Sequence, residues 1–401
     1  MIFRKNCCKF CGDSLKKDIN DRTCENCRMG ISEQFIYDLS EIIGKKIYPV
    51  KKISPELVGY TLDKKGRITG LSLFNCGIET LPSSICYLKY LKTLYLRNNK
   101  LTSLPKHFNH LNQLENIDLF NNYLKKLSEN FGTLKNIKSL NLAYNYLSSL
   151  PNSFKNLKSL KKLIIFRNPF YEFPNCLTSL ENLEELDLQQ TKITFVPETI
   201  GNLSNLKILL IKFNRLFQLP DSIGKLERLK KLDVSWNILE SLPMSIGNLI
   251  NLRELILDFN KLTSLPFTIG NLTNLKWLYL SHNLLGYLPI SIGNLKKLEI
   301  LNASWNSVEN LPFDLFELEN LKFLDLRLNQ ITALPERFSQ KNNLKRLDLS
   351  FNNLQVLPKN MKYLHSLVFL DLRSNFSLNS IAKQYIFLPS SQDDFHSLFL
   401  K

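Results

Sequence analysis

The chain has 401 residues, is 44% hydrophobic and carries a formal net charge of +16 at pH 7. No apolar run reaches the roughly 18 residues of a membrane-spanning helix, and the opening MIFRKNCCKFCGD lacks the apolar core of a secretory signal. These features argue against a membrane-spanning or secreted protein, and we expect a cytoplasmic one.

Residues 1–30 are predicted to bind zinc. They contain two Cys-x-x-Cys pairs, Cys8 with Cys11 and Cys24 with Cys27, separated by twelve residues. Four thiolates can fill all positions of a tetrahedral Zn²⁺, so the zinc is expected to be structural rather than catalytic. The alternatives are disulfides, which a reducing cytoplasm disfavours, and a redox dithiol. The stretch CKFCGDSL resembles the C-x-x-C-G-x-x-L opening of the short zinc ribbons of many archaeal and bacterial proteins.

Residues 31–67 are predicted to cap the repeats that follow. A helix is expected where five apolar residues share one helical face: Phe35, Ile36, Leu39, Ile42 and Ile43. Gly44 is placed to end this helix. Two strand-like runs then flank Asp63–Gly66, which predicts a β-hairpin closed by a type I turn with a bulge. A helix and a hairpin would cover the apolar end that a terminal repeat otherwise exposes.

From Ile68 to about Asn375 the chain repeats a unit of 23 residues with the frame L-x-x-L-x-L-x-x-N-x-L. Fourteen repeats follow one another without insertion or deletion. They start at Ile68, Leu91, Leu114, Ile137, Leu160, Leu183, Leu206, Leu229, Leu252, Leu275, Leu298, Leu321, Leu344 and Leu367.

Each column of the repeat has a physical reason. The two leucines of L-x-L should point inward and the residue between them outward, and neighbouring strands should pair in parallel about 4.8 Å apart. The Asn should be buried in the turn, where it satisfies backbone groups. The Pro that follows in most repeats should turn the chain away from the sheet. The I-G-x-L stretch should then pack back as a short helical or 3-10 segment.

This frame resembles the 23-residue class of intracellular leucine-rich repeats, which includes the Ras-group scaffolds of plants and animals. The resemblance implies an α/β solenoid, curved like a horseshoe, with a parallel concave sheet and a convex side of short helical or 3-10 segments. It also implies a non-enzymatic scaffold whose concave face holds a protein, often a small GTPase or a phosphatase complex. The expected organisation is a zinc ribbon (1–30), an N-terminal cap (31–67), a solenoid of 14 repeats (68–375) and a C-terminal cap or tail (376–401).

The outward positions of the predicted sheet suggest where a partner binds. In repeats 7 to 13 the residue before the Asn is almost always aromatic or apolar, and neighbouring columns add further rings. The candidate binding residues are Phe213, Trp236, Phe259, Trp277, Tyr279, His282, Trp305, Arg327 and Phe351. Beside them lie charges of both signs: Asp233, Asp258, Asp325, Asp348, Asp371, Lys212, Lys231, Arg346 and Arg373. Trp, Tyr and Arg among polar groups are typical of a protein-interface hot spot, although rings that stack only to stiffen the ladder are the alternative.

The second residue of most repeats is Lys or Arg, which predicts a basic row along one rim. Such a row promotes solubility or gives weak affinity for polyanions. The alternative function is therefore a nucleic-acid-associated adaptor, in which basic residues of the zinc ribbon meet phosphates: Lys5, Lys9, Lys16, Lys17, Arg22 and Arg28. Steep salt dependence would distinguish it from an aromatic protein interface. No catalytic constellation and no nucleotide-binding motif is found, so we do not expect an enzyme.

Overall fold

The computed structural model describes residues 25–336, 343–378 and 386–387. The chain divides into two compact units, Met1–Phe170 and Tyr171–Lys401, called here the N-terminal and C-terminal units. Both are built from the 23-residue coil that the sequence predicts.

The described part of the N-terminal unit, residues 25–170, contains one α-helix, a hairpin and four further strands. Helix α1 spans Glu25–Ile43, and strands β1 (Val58–Leu62) and β2 (Ile68–Leu73) form the predicted antiparallel hairpin. The next strands continue from β2 in parallel, one in each repeat: β3 (Thr93–Tyr95), β4 (Asn116–Asp118), β5 (Ser139–Asn141) and β6 (Lys162–Ile164). Short 3-10 helices form the return path at Ser83–Tyr87, Phe108–His110, Glu129–Thr133 and Asn152–Asn156.

Helix α1 overlaps the end of the predicted zinc ribbon. It begins at Glu25, before the predicted cap, and therefore includes Cys27 of the predicted zinc ribbon. The helix contacts the first 3-10 helix, and Phe35 and Leu39, one turn apart, are fully buried. Ile42, in the last turn, is exposed rather than part of the buried face. Gly44 ends the helix with a φ of 65°, as expected of a glycine in the left-handed region.

The C-terminal unit is built from the same 23-residue coil. Its parallel strands are β7 (Glu185–Asp187), β8 (Ile208–Leu210), β9 (Lys231–Asp233), β10 (Glu254–Ile256), β11 (Trp277–Tyr279), β12 (Ile300–Asn302), β13 (Phe323–Asp325), β14 (Arg346–Asp348) and β15 (Phe369–Asp371). The last strand, β16 (Ile386–Phe387), pairs with β15 in antiparallel fashion. The 3-10 helices are Asn175–Ser179, Glu198–Asn202, Asp221–Lys225, Met244–Asn248, Phe267–Asn271, Ile290–Asn294, Phe313–Glu317 and Lys359–Tyr363.

One repeat shows how the core forms. Leu229, Leu232, Val234, Leu239 and Ile246 are all fully buried between the strand and the 3-10 helix of their coil. Burying each of these side chains contributes about 1.5–3 kcal/mol. Repetition of the same columns therefore produces one continuous apolar core within each unit, as the sequence predicts.

The Asn that recurs in the repeat frame forms the predicted hydrogen bonds with the backbone. The Nδ2 group of Asn237 donates to the carbonyl oxygens of Ile211 and Val234, both at 3.0 Å. Its Oδ1 accepts from the backbone N–H of Leu216 at 2.9 Å. One side chain thus satisfies backbone groups of two successive coils. In the repeat that carries Thr191 instead, the hydroxyl donates to the Leu188 carbonyl at 2.8 Å, which replaces only part of this network.

Candidate functional site

The residue before each repeat Asn, or before Cys76 and Thr191 in the same column, lies in a left-handed turn, not on the strand face where the sequence placed it. At all fourteen positions, from Asn75 to Ser374, φ is between 52° and 59°. In repeat 8 the turn is closed by Asp233, whose Oδ1 accepts from the backbone N–H of Ser235 at 3.0 Å. The column contains no Val, Ile or Thr, the residue types for which a positive φ is most costly.

Five of the nine candidate binding residues form one continuous stack in these turns. The ring centroids are 4.8 Å apart for Phe213 and Trp236, 3.8 Å for Trp236 and Phe259, 4.0 Å for Phe259 and His282, and 4.8 Å for His282 and Trp305. The stacking alternative is therefore correct as a description of the geometry. Trp236 and Trp305 nevertheless remain 41% and 48% exposed, so the stack also presents a surface.

His282 is held as a neutral ring inside this stack. Burial lowers its pKa below the usual value, against a smaller opposite effect of Asp258. Its Nδ1 atom is enclosed and has no hydrogen-bond partner among the described residues. The ring therefore acts as an aromatic spacer between Phe259 and Trp305 rather than as a charged group.

Trp277 and Tyr279 lie on strand β11, beside the stack. Trp277 is 36% exposed, and the parallel register places it next to Ile300 and then Phe323, which is also exposed. Tyr279 is half-buried, and burial raises the pKa of its hydroxyl. The stack in the turns and the exposed or half-buried residues Trp277, Tyr279, Ile300 and Phe323 on the strands beside it form one surface, called here the sheet face of the C-terminal unit.

Three of the aspartates predicted to charge this face are buried instead: Asp233, Asp348 and Asp371. Their carboxylates accept backbone N–H groups that close the left-handed turns, as Asp348 does from Ser350 at 3.2 Å. Asp258 and Asp325 are partly buried as well, and burial raises their pKa values. The prediction of freely exposed acidic groups was wrong for these three aspartates because each carboxylate accepts a backbone N–H two residues further on and is buried against the turn.

The two remaining candidates, Arg327 and Phe351, lie at the far end of the sheet face. A shallow hollow there is lined by three rings and three arginines: Trp305, Phe351, Phe369, Arg327, Arg346 and Arg373. The Arg346 guanidinium lies 3.9 Å from the Phe369 ring centroid. Arg373 makes a charge-assisted hydrogen bond to buried Asp371, with Nη2 to Oδ2 at 2.7 Å. Arg373 is therefore oriented by its own repeat and Arg346 by a ring of the next repeat, and both offer planar donors to the hollow.

The basic rim is braced by cross-repeat ion pairs. Glu299 accepts from Lys276 and Lys322, both at 2.8 Å, and these hydrogen bonds lower the pKa of its carboxyl. Lys207 meets Glu184 at 2.6 Å in the same way. The acidic residues that interrupt the row thus neutralise part of the positive charge of their basic neighbours. This weakens the electrostatic attraction of the rim for polyanions. Of the basic residues predicted for the zinc ribbon, Arg28 lies in α1, and the other five lie outside the described residues: Lys5, Lys9, Lys16, Lys17 and Arg22.

The N-terminal unit has an aromatic cluster that the sequence analysis missed. The rings of Phe120 and Tyr144 are 4.9 Å apart, and those of Tyr144 and Phe166 are 5.3 Å apart. Arg97 and Arg167 place their guanidinium groups over two of these rings. The sequence does indicate this cluster, because the column just before the turn residue holds Phe120 and Phe166 two repeats apart.

Within the described residues, no group of His, Cys, Asp and Glu side chains is arranged to bind a metal ion. Because Cys8, Cys11 and Cys24 lie outside them, the zinc prediction stays a prediction. The helices of the described part include none that is long and apolar enough to cross a membrane.

Comparison with known proteins defines the family. Two family models match the chain. The model of a leucine-rich repeat region matches residues 106–216 and 186–264, and the model of the leucine rich repeat matches residues 67–124, 250–308 and 319–376. A leucine-rich repeat protein of Leptospira interrogans is 32% identical, with a TM-score of 0.74 over 84% of this chain and 96% of that one. The chain belongs to the leucine-rich repeat proteins.

Two plant receptors are also similar in structure. The Arabidopsis receptor kinase HAESA, solved with the peptide hormone IDA and the co-receptor SERK1, is 25% identical with a TM-score of 0.67, covering 87% of this chain and 65% of HAESA. The plant peptide hormone receptor RGFR1, solved with RGF2, is 26% identical with a TM-score of 0.56, covering 83% of this chain and 64% of the receptor. No curated protein is significantly similar to the chain.

Proposed function

We propose that this protein is a non-enzymatic interaction scaffold that binds a partner protein on the sheet face of its C-terminal unit. The observation that carries the proposal is the exposure of Trp236, Trp277 and Trp305, the only tryptophans of the chain, on one face. None of them is needed to fill the leucine core. The peptide and co-receptor complexes of HAESA, a structural relative, support protein binding as the general role.

The stack makes this surface well suited to binding. Rings that already contact one another lose little side-chain freedom when a partner covers them, which reduces the entropic cost of association. Trp and Arg are enriched among the few interface residues whose truncation to Ala costs about 2 kcal/mol or more of binding free energy. Paired arginines around the hollow supply directed hydrogen bonds at its edge.

The first partners to test are cytoplasmic signalling proteins, with small GTPases ahead of the others. This choice rests on the resemblance of the repeat frame to the Ras-group class. A cytoplasmic location is part of the proposal.

The test is affinity capture from a lysate of the native host, followed by binding measurements with the purified captured protein. The full-length wild type is compared with Trp236→Ala/Trp277→Ala/Trp305→Ala at low and high salt. We expect a partner that is retained at high salt by the wild type and lost, by at least tenfold in Kd, from the triple variant. Trp277 lies outside the stack, so Trp277→Ala alone should weaken binding without altering the stack.

A matched control is Phe195→Ala/Phe217→Ala, which removes two exposed rings of the same unit outside the sheet face. It should capture the same partner as the wild type. Equal capture by a folded triple variant would reject the sheet face as the binding surface. Capture of nucleic acid that disappears steeply with salt would instead favour the adaptor alternative through the ribbon.

We also propose that Cys8, Cys11, Cys24 and Cys27 bind one structural Zn²⁺. The support is the spacing of the two pairs, together with the position of Cys27 in the first turn of α1. Purified protein should contain one zinc per chain by mass spectrometry, and Cys11→Ser should lower both zinc content and thermal stability. Zinc content unchanged in Cys11→Ser would reject this ligand set.

A further inference from the structure

A second apolar surface lies on the side of the C-terminal unit that carries the 3-10 helices. The first residue of each of these helices follows the repeat proline. In four consecutive repeats it is Met244, Phe267, Ile290 and Phe313, which are 56%, 68%, 63% and 47% exposed. At the same position the other described repeats have polar or charged residues: Ser83, Lys106, Glu129, Asn152, Asn175, Glu198, Asp221, Glu336 and Lys359.

The four apolar residues form a continuous row because their 3-10 helices touch. The Thr268 hydroxyl donates to the backbone carbonyl of Met244 at 2.7 Å, which joins two of the helices directly. The backbone of the next helix lies so close to Gly247 and Gly270 that a Cβ atom there would be only 2.5 Å and 2.4 Å from a carbonyl oxygen. The row is therefore a fixed feature of the fold.

The row ends in acidic residues on both sides. Glu198 and Asp221 precede Met244 in the same column, and Glu336 follows Phe313. All three are exposed. Hydrogen bonds from Ser222 lower the pKa of Glu198, to which nearby Lys225 adds a smaller effect. With Lys225 counted, the first end retains about one net negative charge. Asp314 adds to the charge of the second end, and Lys359, one repeat beyond Glu336, offsets part of it, so this end also retains about one net negative charge.

We propose that this row, called here the helix-side row, binds an amphipathic helix of a partner protein with basic residues at both of its ends. Strands repeat every ~4.8 Å, close to the 5.4 Å pitch of an α-helix, so each helical turn can place one apolar side chain against one repeat. From Asp221 to Glu336 the column advances five repeats, or roughly 24 Å. A helix of about 16 residues spans this length.

Charge argues against a second copy of this chain as the occupant. In a two-fold symmetric dimer the row would pair with itself in the opposite direction. The end marked by Asp221 would then face the end marked by Glu336, so acidic groups would oppose one another. An anionic membrane surface is disfavoured for the same reason, whereas basic ends on a partner helix would complement both sites.

This inference does not rest on the sheet-face proposal, because the helix-side row lies across the leucine core from it. The test uses the full-length protein and a displayed library of helical peptides of about 18 residues. The library varies the residues along one face of the helix and the residues at both of its ends among Leu, Ala, Lys and Glu. We expect the enriched peptides to carry one apolar residue per turn and Lys at both ends.

The affinity of an enriched peptide is then measured by fluorescence anisotropy. Phe267→Ser/Ile290→Ser should weaken binding at least tenfold, while Leu284→Ser, an exposed apolar residue in another column, should not. Replacement of the terminal Lys residues by Glu in the peptide should also weaken binding at least tenfold. The triple tryptophan variant should bind the peptide like the wild type, which separates this proposal from the previous one.

Several results would overturn the proposal. They are the absence of enrichment, enriched peptides without basic ends, and equal affinity for a folded Phe267→Ser/Ile290→Ser variant. Light scattering that shows a wild-type dimer abolished by the same double variant would assign the row to a second copy instead. Wild-type binding to neutral lipid vesicles that this variant abolishes would assign it to a membrane surface.

Discussion

The indole ring of Trp236 lies 3.8 Å, centroid to centroid, from the phenyl ring of Phe259, with 15° between the ring planes. The two residues are 23 positions apart, so the contact is made only when successive coils are in register. This pair is the closest in the stack and links the stability of the solenoid to the surface proposed to bind a partner.

The stacked pair should be energetically coupled. Trp236→Ala and Phe259→Ala, measured singly and together by chemical denaturation, should give a coupling energy of about 0.5–1.5 kcal/mol. Phe213 and His282 belong to the same stack but do not touch, so their double-mutant cycle should give a coupling near zero. Equal couplings for both cycles would mean that ring contact is not the source.

The Asn ladder should dominate local stability. Asn237→Ala removes hydrogen bonds to Leu216, Ile211 and Val234 and leaves buried backbone groups unsatisfied, which should lower the free energy of unfolding by about 2–4 kcal/mol. Asn251 makes one exposed hydrogen bond, to the Glu227 carbonyl at 2.8 Å. Its change to Ala should cost less than about 1 kcal/mol. Similar denaturation midpoints for the two variants would contradict the ladder's role.

The glycines of the I-G-x-L stretch should tolerate no side chain. A Cβ added at Gly247 would lie 2.5 Å from the Thr268 carbonyl oxygen, so Gly247→Ala should destabilise the protein by about 1–3 kcal/mol through overpacking. Gly286 has no atom within 4 Å of such a Cβ and is the matched control. Gly286→Ala should be neutral or slightly stabilising, as thermal unfolding can show.

The hairpin β1–β2 should lose stability only in strong acid. Hydrogen bonds from Arg67 lower the pKa of Asp63 to about 2. Because the folded pKa lies below the unfolded one, the contribution of Asp63 is present above the ordinary pKa of about 4 and disappears as the pH falls through about 2. A carboxyl NMR titration of Asp63 should show this low midpoint, and Arg67→Met should move it back toward 4. A midpoint near 4 in the wild type would contradict the structure.

The leucine columns allowed the fold to be predicted because each carries the same physical reason in every repeat. Leu229, Leu232 and Val234 are buried as the L-x-x-L-x-L spacing requires, and Asn237 bonds the backbone as its donors and acceptor suggest. The strand positions and the 3-10 return path followed from these columns.

The details of the binding surface could not be predicted in the same way. A strand period of two places Asp233 on the open face, but the left-handed turn bends the backbone so that this carboxylate caps the turn and is buried. The ion pairs of Lys276 and Lys322 with Glu299 could not be predicted either, since Glu299 is adjacent to these lysines only after the repeats stack. The sequence does contain a hint of the turn, because its column lacks β-branched residues.

The most direct test of the central proposal uses the three tryptophans as reporters. Chain labelled with 5-fluorotryptophan should give three ¹⁹F NMR signals, from Trp236, Trp277 and Trp305, assignable by single Trp→Phe variants. Addition of the unlabelled captured partner should shift or broaden the signals, because all three indoles lie on the proposed surface. If the partner binds at saturating concentration while all three signals stay unchanged, the sheet face of the C-terminal unit is not its binding site.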